Sequence, residues 1–231
     1  VAGRISQVTK TVTVDSQAPS VLLNNLAEGQ IIGDTSYTIN GTASDLGISG
    51  IATVQYSRDG GLTWQNALGS STWSVILDSL TETTSDVIAF RALDRAGNTS
   101  ALTSRTFKVD TSSPSVSNPK IDTVAWASGV RYRNVDYNLS FDLVDTLGLA
   151  KFTVKRNGTG IPGYVDQVIS GTSYVLSVPE EVGGAGLSDG TYEYEIVVTD
   201  TVGRINSMTR NLLVDTLSPV LTVTSPSTGE G

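Results

Sequence analysis

Aspartates at recurring positions are the residues of this sequence with the clearest potential for chemistry. Asp15 and Asp110 each stand between a valine and a Ser or Thr, four positions before a proline. Asp94 and Asp200 each begin an Asp-x-x-Gly segment. The chain has no histidine and no cysteine, which excludes imidazole acid–base catalysis, thiolate nucleophiles, disulfides and the usual zinc sites. Carboxylates and backbone carbonyls remain, and these oxygens favour calcium or magnesium.

A repeated segment divides the sequence into similar lengths. The pattern Val-Asp-(Ser/Thr)-x-x-Pro occurs at residues 14–19, 109–114 and 214–219. Its three aspartates are 95 and 105 residues apart, close to the ~100 residues of an Ig-type β-sandwich. We therefore predict the last strand of a preceding repeat, Ig-like repeat 1, Ig-like repeat 2, and a linker with the start of a following repeat, at residues 1–14, 15–109, 110–214 and 215–231.

Short β-branched stretches bounded by turn residues predict strands throughout. In the second repeat the apolar residues alternate strictly over 135–143 and 192–198, as in strands with one buried face. No segment shows helical periodicity, so the sequence predicts an all-β fold of tandem Ig-like or fibronectin-III-like antiparallel β-sandwiches of about seven strands each. The strands predicted in the first repeat are 20–24, 35–43, 51–58, 62–66, 72–78, 86–93 and 99–109.

The predicted architecture brings the aspartates of each repeat together. In an Ig-type sandwich, the segment that enters the first strand and two of the loops meet at one end of the domain. Three carboxylates at close range are unfavourable unless a cation or hydrogen-bond donors compensate them, so we hypothesise an interdomain calcium site at each junction. The alternative is that each aspartate caps its own turn by accepting backbone N–H bonds. The candidate ligands are Asp15, Asp45 and Asp94 in the first repeat, and Asp110, Asp142 or Asp145, and Asp200 in the second.

Several segments resemble the bacterial Ig-like repeat of large surface adhesins. Residues 187–192 read Leu-Ser-Asp-Gly-Thr-Tyr, and residues 197–200 and 214–219 continue the pattern. The first repeat keeps the run at 92–100 but departs from the pattern at 80–83. The resemblance implies a structural stalk segment on the bacterial exterior, whose partners are adjacent repeats of the same chain. It also implies calcium at the junctions, which stiffens such arrays into rods.

Composition excludes other classes of partner. Basic residues are fewer than acidic ones, 15 against 23, and they are scattered, which argues against nucleic-acid binding. Apolar runs such as residues 196–198 are far shorter than the ~20 residues of a membrane-spanning helix. Residues 1–5 lack the features of a signal peptide, so an export signal would lie outside this segment, and an extracellular or cell-surface location follows from the resemblance alone.

Other motifs favour structural roles. Residues 57–64 match the Asp-box hairpin of sialidases, but only once, and we interpret them as a structural turn; no catalytic residue is predicted. Trp64, Trp73 and Trp126 could stack on sugars but more commonly fill cores. A second hypothesis is that residues 178–190 bind a glycan or a host or cell-surface protein. A third makes the pair an accessory module of a secreted polysaccharide-degrading enzyme.

Overall fold

The chain was analysed as a computed structural model that describes residues 3, 5–127, 131–184 and 186–222. It divides into two compact units, Val1–Thr111 and Ser112–Gly231, and each is described by itself. All regular secondary structure in the described residues is β, which confirms the predicted fold class. Within those residues, no helix has the length and apolar character needed to cross a bilayer.

Unit 1 is a sandwich of two sheets. One sheet has the strand order β1-β3-β7-β6 and the other β2-β9-β8-β4-β5. The strand pairs are antiparallel except for β2 with β9, which run parallel. The strands are β1 Ser20–Leu23, β2 Gln30–Ile32, β3 Tyr37–Ser44, β4 Ile51–Ser57, β5 Gln65–Asn66, β6 Leu68–Gly69, β7 Thr72–Leu77, β8 Thr83–Asp94 and β9 Thr103–Val109.

Unit 2 repeats this plan with its own strands. Its sheets have the orders β11-β10-β13-β17 and β12-β19-β18-β14-β15, and β16 also pairs with β14. Here β12 and β19 are the parallel pair. The strands are β10 Ser115–Ile121, β11 Val124–Ala125, β12 Arg131–Arg133, β13 Tyr137–Val144, β14 Leu149–Arg156, β15 Thr159–Gly160, β16 Gln167–Val168, β17 Ser173–Glu180, β18 Gly190–Asp200 and β19 Ile205–Val214.

Each unit buries a separate hydrophobic core between its sheets. Burial alternates along β13, so its apolar residues point inward and its polar residues outward. In unit 1 the rings of Trp73 and Phe90 pack 4.9 Å apart, and in unit 2 Trp126 packs edge-on against Tyr194 at 6.3 Å. Burying a large apolar side chain stabilises a domain by about 1.5–3 kcal/mol. Trp73 and Trp126 therefore serve as core, as predicted, whereas Trp64 is half-buried.

The predicted strands of the first repeat differ from the observed ones mainly at short edges. The three-residue strand β2 was missed because so short a segment carries no alternation, and its pairing depends on β9 from the other end of the repeat. Residues 62–64 belong to a hairpin loop, and only residues 65–66 pair with β4. These short edge strands explain why each unit has more than the predicted seven strands among its described residues.

The ends of the chain carry no strand in the described residues. Residues 5–19 and 215–222 form no regular secondary structure. The prediction that residues 1–14 belong to a preceding repeat stays a prediction, and residues 1, 2 and 4 lie outside the described part. Residues 223–231, predicted to begin a further repeat, also lie outside it.

Candidate cation sites

The first aspartate group forms where three segments of unit 1 meet. Asp15 lies in the segment before β1, Asp45 directly follows β3, and Asp94 is the last residue of β8. Each offers one carboxylate oxygen, and these oxygens lie within 4.8 Å of one another. We call Asp15, Asp45 and Asp94 the first group. The structure therefore brings together the three residues predicted for this repeat.

Hydrogen bonds from the β3–β4 loop hold two carboxylates of the first group. Asp45 accepts bonds from the backbone N–H of Gly47 at 2.9 Å and of Gly50 at 2.8 Å. Asp15 accepts the backbone N–H of Gln17 at 3.0 Å through one oxygen and that of Ser49 at 2.9 Å through the other. A Cβ at Gly47 would lie 2.3 Å from the Asp15 carboxylate, so only glycine permits this approach.

Asn98 completes the first group. Asp94 accepts the backbone N–H of Asn98 at 2.8 Å through Oδ1 and its side-chain amide at 2.7 Å through Oδ2. The same amide donates to the backbone carbonyl of Asp15 at 3.1 Å, which fixes the entering segment on the loop after β8. The Ser49 hydroxyl and nearby N–H groups lower the pKa of Asp15. Burial raises the pKa of Asp94, but the hydrogen bonds from Asn98, Ser49 and Gly97 together outweigh it, and the net shift is downward.

The second aspartate group consists of Asp110, Asp145 and Asp200. Asp110 follows β9, Asp145 follows β13, and Asp200 ends β18. All three are buried, with 0%, 4% and 1% of their surface exposed, and their ligand oxygens lie within 4.8 Å of one another. Of the two predicted alternatives, Asp142 and Asp145, the structure places Asp145 in the group. Asp142 lies within the strand, and its carboxylate accepts a bond from the side-chain amide of Asn118 at 2.9 Å.

The second group differs from the first in how its oxygens are used. Oδ1 of Asp145 accepts the backbone N–H of Leu147 at 2.8 Å and of Gly148 at 2.7 Å. Oδ1 of Asp200 likewise accepts the N–H of Val202 at 2.9 Å and of Arg204 at 2.8 Å. Oδ2 of both aspartates is buried and accepts no hydrogen bond from the described residues. One oxygen of each carboxylate therefore caps a turn, and the other has no donor.

The geometry of both groups fits a hard cation. Oxygens bound to one calcium ion at about 2.4 Å lie no more than about 4.8 Å apart, and the ligand oxygens of both groups lie within 4.8 Å of one another. Withdrawing a carboxylate from water without a compensating charge or donor costs several kcal/mol. The buried Oδ2 atoms of Asp145 and Asp200 carry this cost, so a cation has most to contribute at the second group.

The Asp-box segment builds a hairpin between β4 and β5. Asp59 accepts the Ser57 hydroxyl at 2.6 Å and the backbone N–H of Thr63 at 3.0 Å, and the bonds from both residues lower the pKa of Asp59. The Trp64 indole donates to the Gly61 carbonyl at 3.1 Å. These bonds lie within the turn itself, in keeping with a structural role.

Sequence reasoning missed the donors that surround the first group. Ser49 and Asn98 are as important to its geometry as the aspartates, since their groups donate to both oxygens of Asp94 and to one oxygen each of Asp15 and Asp45. The spacing of Asn98 four residues after Asp94 was a usable signal, because such an asparagine can fold back on the loop aspartate. Ser49 carried no such signal, since it reaches Asp15 across 34 residues.

Comparisons with known proteins bear on the fold. No protein-family model matches the sequence, and no curated protein matches it. Two solved fragments of titin, I67–I69 from the I-band and an E-to-A variant of the same three Ig domains, superpose with a TM-score of 0.55 at 15% identity. They cover 88% and 86% of this chain, which spans 66% of each fragment. Fibronectin(III)-like modules of Clostridium thermocellum CbhA match at a TM-score of 0.40 and 14% identity, over 84% of this chain and 94% of theirs.

Proposed function

We propose that this chain is a structural stalk or spacer segment of a large bacterial surface protein of the adhesin type, with calcium at its two aspartate groups. The spacer role is supported by two sandwiches in tandem, each with its own core, because modules of this kind add length in series. Ig-like and fibronectin-III-like domains typically serve as structural or linker modules of multidomain proteins. The proposal assigns no catalysis to the chain and locates it outside the cell.

The observation that carries the calcium proposal is the pair of buried Oδ2 atoms of Asp145 and Asp200 that accept no hydrogen bond. A divalent cation would balance two of the three negative charges that these carboxylates carry together with Asp110. At the first group, the cation would bind Asp15 on the entering segment and both loop aspartates at once. Calcium would then restrict the segments that lead into the repeats, which is how it would stiffen an array.

The test compares the full chain in calcium and in chelator. Calcium bound only to the folded state adds RT ln(1 + [L]/Kd), about 2.7 kcal/mol at a hundredfold excess over Kd. We expect a higher midpoint of thermal unfolding and, by small-angle scattering, a narrower distribution of particle lengths in calcium. Asp110→Ala should reproduce the effect of chelator, and Asp142→Ala is the matched control. An unchanged midpoint together with an unchanged length distribution would remove the calcium proposal.

A second candidate function is recognition of a glycan or a cell-surface protein by residues 178–190. It is favoured by a cavity of about 730 Å³ in unit 2, whose lining includes Pro179, Glu180, Glu181 and Leu187. Saturable binding on a glycan array, lost on substitution of these residues, would support this function. If the glycan array and a panel of surface proteins are both negative, the spacer role is the one proposed function that remains.

A further inference from the structure

The cavity of unit 2 lies at the end of β13 opposite to Asp145 of the second aspartate group. Asp136 precedes β13, whereas Asp145 follows it, so the cavity lies at the opposite end of that strand. Arg156 ends β14 and Glu180 ends β17. Asp122, after β10, completes the charged part of the lining. The cavity is therefore a feature of unit 2 independent of the proposed calcium sites.

Negative charge dominates the cavity. Four carboxylates line it, those of Asp122, Asp136, Glu180 and Glu181, and Arg156 is the one cationic side chain of the described lining. That guanidinium already bonds Glu180 through Nη1 to Oε2 at 2.5 Å. Glu180 is only 7% exposed, and its second oxygen, Oε1, is buried and accepts no hydrogen bond from the described residues. Glu180 and Asp122 are therefore ion-paired, with Arg156 and Arg133 respectively. Asp136 and Glu181 form no ion pair with the described residues, and their carboxylates leave the cavity with a net negative charge.

The carboxylates at the rim are held in place by the backbone. Asp136 accepts the N–H of Val182 at 2.8 Å, and Asp122 accepts the N–H of Asn138 at 3.0 Å, each through Oδ1. Asp122 also lies 3.3 Å from the guanidinium of Arg133. Asp136 and Asp122 are exposed, so their charges face solvent at the mouth. A fixed carboxylate binds a cation without the entropic cost of first ordering the side chain.

The remaining walls are apolar. Ile161 packs against the core of unit 2, Leu187 is 7% exposed, and the exposed ring of Pro179 borders the opening. An aliphatic chain that enters the cavity would lie against these side chains. In such a chain with a positive charge at one end, the aliphatic part would pack against the apolar walls and the charge would lie near the carboxylates of the rim. Long cationic side chains bury their stems in the same way on protein surfaces.

We propose that this cavity binds an alkylammonium group, a primary amine on an aliphatic stem such as a lysine side chain presents. The proposal rests on the second candidate function, recognition of a partner, and specifies its ligand chemistry. An anion would meet four carboxylates and an arginine that is already bonded. A pyranose ring would find no aromatic platform, because the one aromatic residue of the described lining, Tyr137, is 4% exposed.

The experiment titrates the isotopically labelled full chain, at fixed calcium, with the peptide acetyl-Gly-Lys-Gly-amide and follows backbone amides by NMR. We expect saturable shifts confined to amides at the cavity, among them Asn138, Val182 and Leu187. The same peptide with norleucine in place of lysine keeps the stem and loses the charge, and it should not bind. Butylamine tests whether the amine needs a peptide backbone. Binding of both butylamine and the lysine peptide would show that the alkylammonium group is sufficient for binding.

Charge-removing variants locate the site. Asp136→Asn keeps the acceptor for Val182 and should weaken peptide binding about two- to fivefold, the range of an exposed ion pair; Glu181→Gln should do the same. Glu193→Gln, an exposed residue outside the lining, is the matched control and should leave binding unchanged. Absence of saturable shifts, or equal binding of the norleucine peptide, overturns the proposal. A positive glycan array beside such a failure would keep the recognition function and reject only this ligand class.

Discussion

The two aspartate groups share loop positions but use their oxygens differently. In the first group, N–H donors from Gln17, Ser49 and Asn98 reach both oxygens of Asp15 and of Asp94. In the second, Asp145 and Asp200 each cap a turn with Oδ1 and bury Oδ2 without a hydrogen bond from the described residues. The protein supplies donors to most oxygens of the first group, whereas the second group keeps two buried carboxylate oxygens without a donor from the described residues.

The comparison shows that turn capping and cation binding are compatible uses of one aspartate. A carboxylate has two oxygens, so one can accept backbone N–H bonds while the other faces a metal. The donors that reach the second oxygen determine whether a cation is needed. In the first group the side-chain amide of Asn98 donates to the second oxygen of Asp94. In the second group Arg204 stands at the corresponding position, and the second oxygen of Asp200 accepts no hydrogen bond from the described residues. We therefore expect tighter calcium binding at the second group than at the first.

The largest expected effect is a difference in hydrogen exchange between the units. In calcium at about a hundredfold excess over Kd, stabilisation of about 2.7 kcal/mol slows exchange through global opening about a hundredfold. We expect this slowing in β13 and β18 of unit 2, and less than about a threefold change in β3 and β8 of unit 1. Equal slowing of exchange in both units would contradict the expected difference in calcium binding between the two aspartate groups. Magnesium at the same concentration tests whether the effect needs calcium.

The effect on stability of removing a charge from the second group should have opposite signs in chelator and in calcium. In Asp145→Asn and Asp200→Asn the Oδ1 acceptor of the turn remains, and the new amide can donate to a neighbouring carboxylate oxygen. In chelator we expect each variant to stabilise unit 2 by about 1–3 kcal/mol, because a buried uncompensated charge is gone. In calcium the same variants should be less stable than wild type. Urea unfolding in both buffers measures this, and destabilisation in both would contradict it.

Acid should act on the first group through its lowered pKa values. The pKa of Asp15 and of Asp94 lies below the ordinary value of 3.8. The stability that these groups contribute is fully present above that value and is lost as the pH falls through their lower folded-state pKa. Ser49→Ala should raise the pKa of Asp15, since the Ser49 hydroxyl is the main cause of its shift. Carboxyl titration by NMR checks this, and an unchanged Asp15 pKa would refute the assigned cause.

The smallest effect is expected at Asp142, the alternative that the sequence left open. Asp142→Asn removes a carboxylate outside the second group and should change calcium affinity less than about twofold. Asp145→Asn, three positions on, should weaken it at least tenfold, because it removes a direct ligand charge. A larger effect at Asp142 than at Asp145 would show that the ligand set is wrong.

The sequence predicted the fold class well because alternation is a local signal. The buried set Tyr137, Leu139, Phe141 and Leu143 could be identified directly from its period of two. Val135 extends that pattern but is 60% exposed before the strand, since a pattern does not mark where pairing begins. Short edge strands such as β2 could not be predicted, because a distant partner forms them.

The aspartate groups were predictable only as far as topology determines them. The Ig-type plan was enough to bring Asp15, Asp45 and Asp94 together. It did not decide between Asp142 and Asp145, because that choice depends on where β13 ends. Nor could it foresee the unequal use of oxygens, which depends on donors such as Ser49 and Asn98 in loops whose shape no periodicity encodes.

Calcium titration of the full chain by calorimetry measures the two aspartate groups in one experiment. We expect a tighter binding event that is lost in Asp145→Asn/Asp200→Asn, and a weaker one that is lost in Asp45→Asn/Asp94→Asn. Survival of the tighter event in Asp145→Asn/Asp200→Asn would contradict this expectation, as would the absence of any calcium-dependent heat in the wild-type chain.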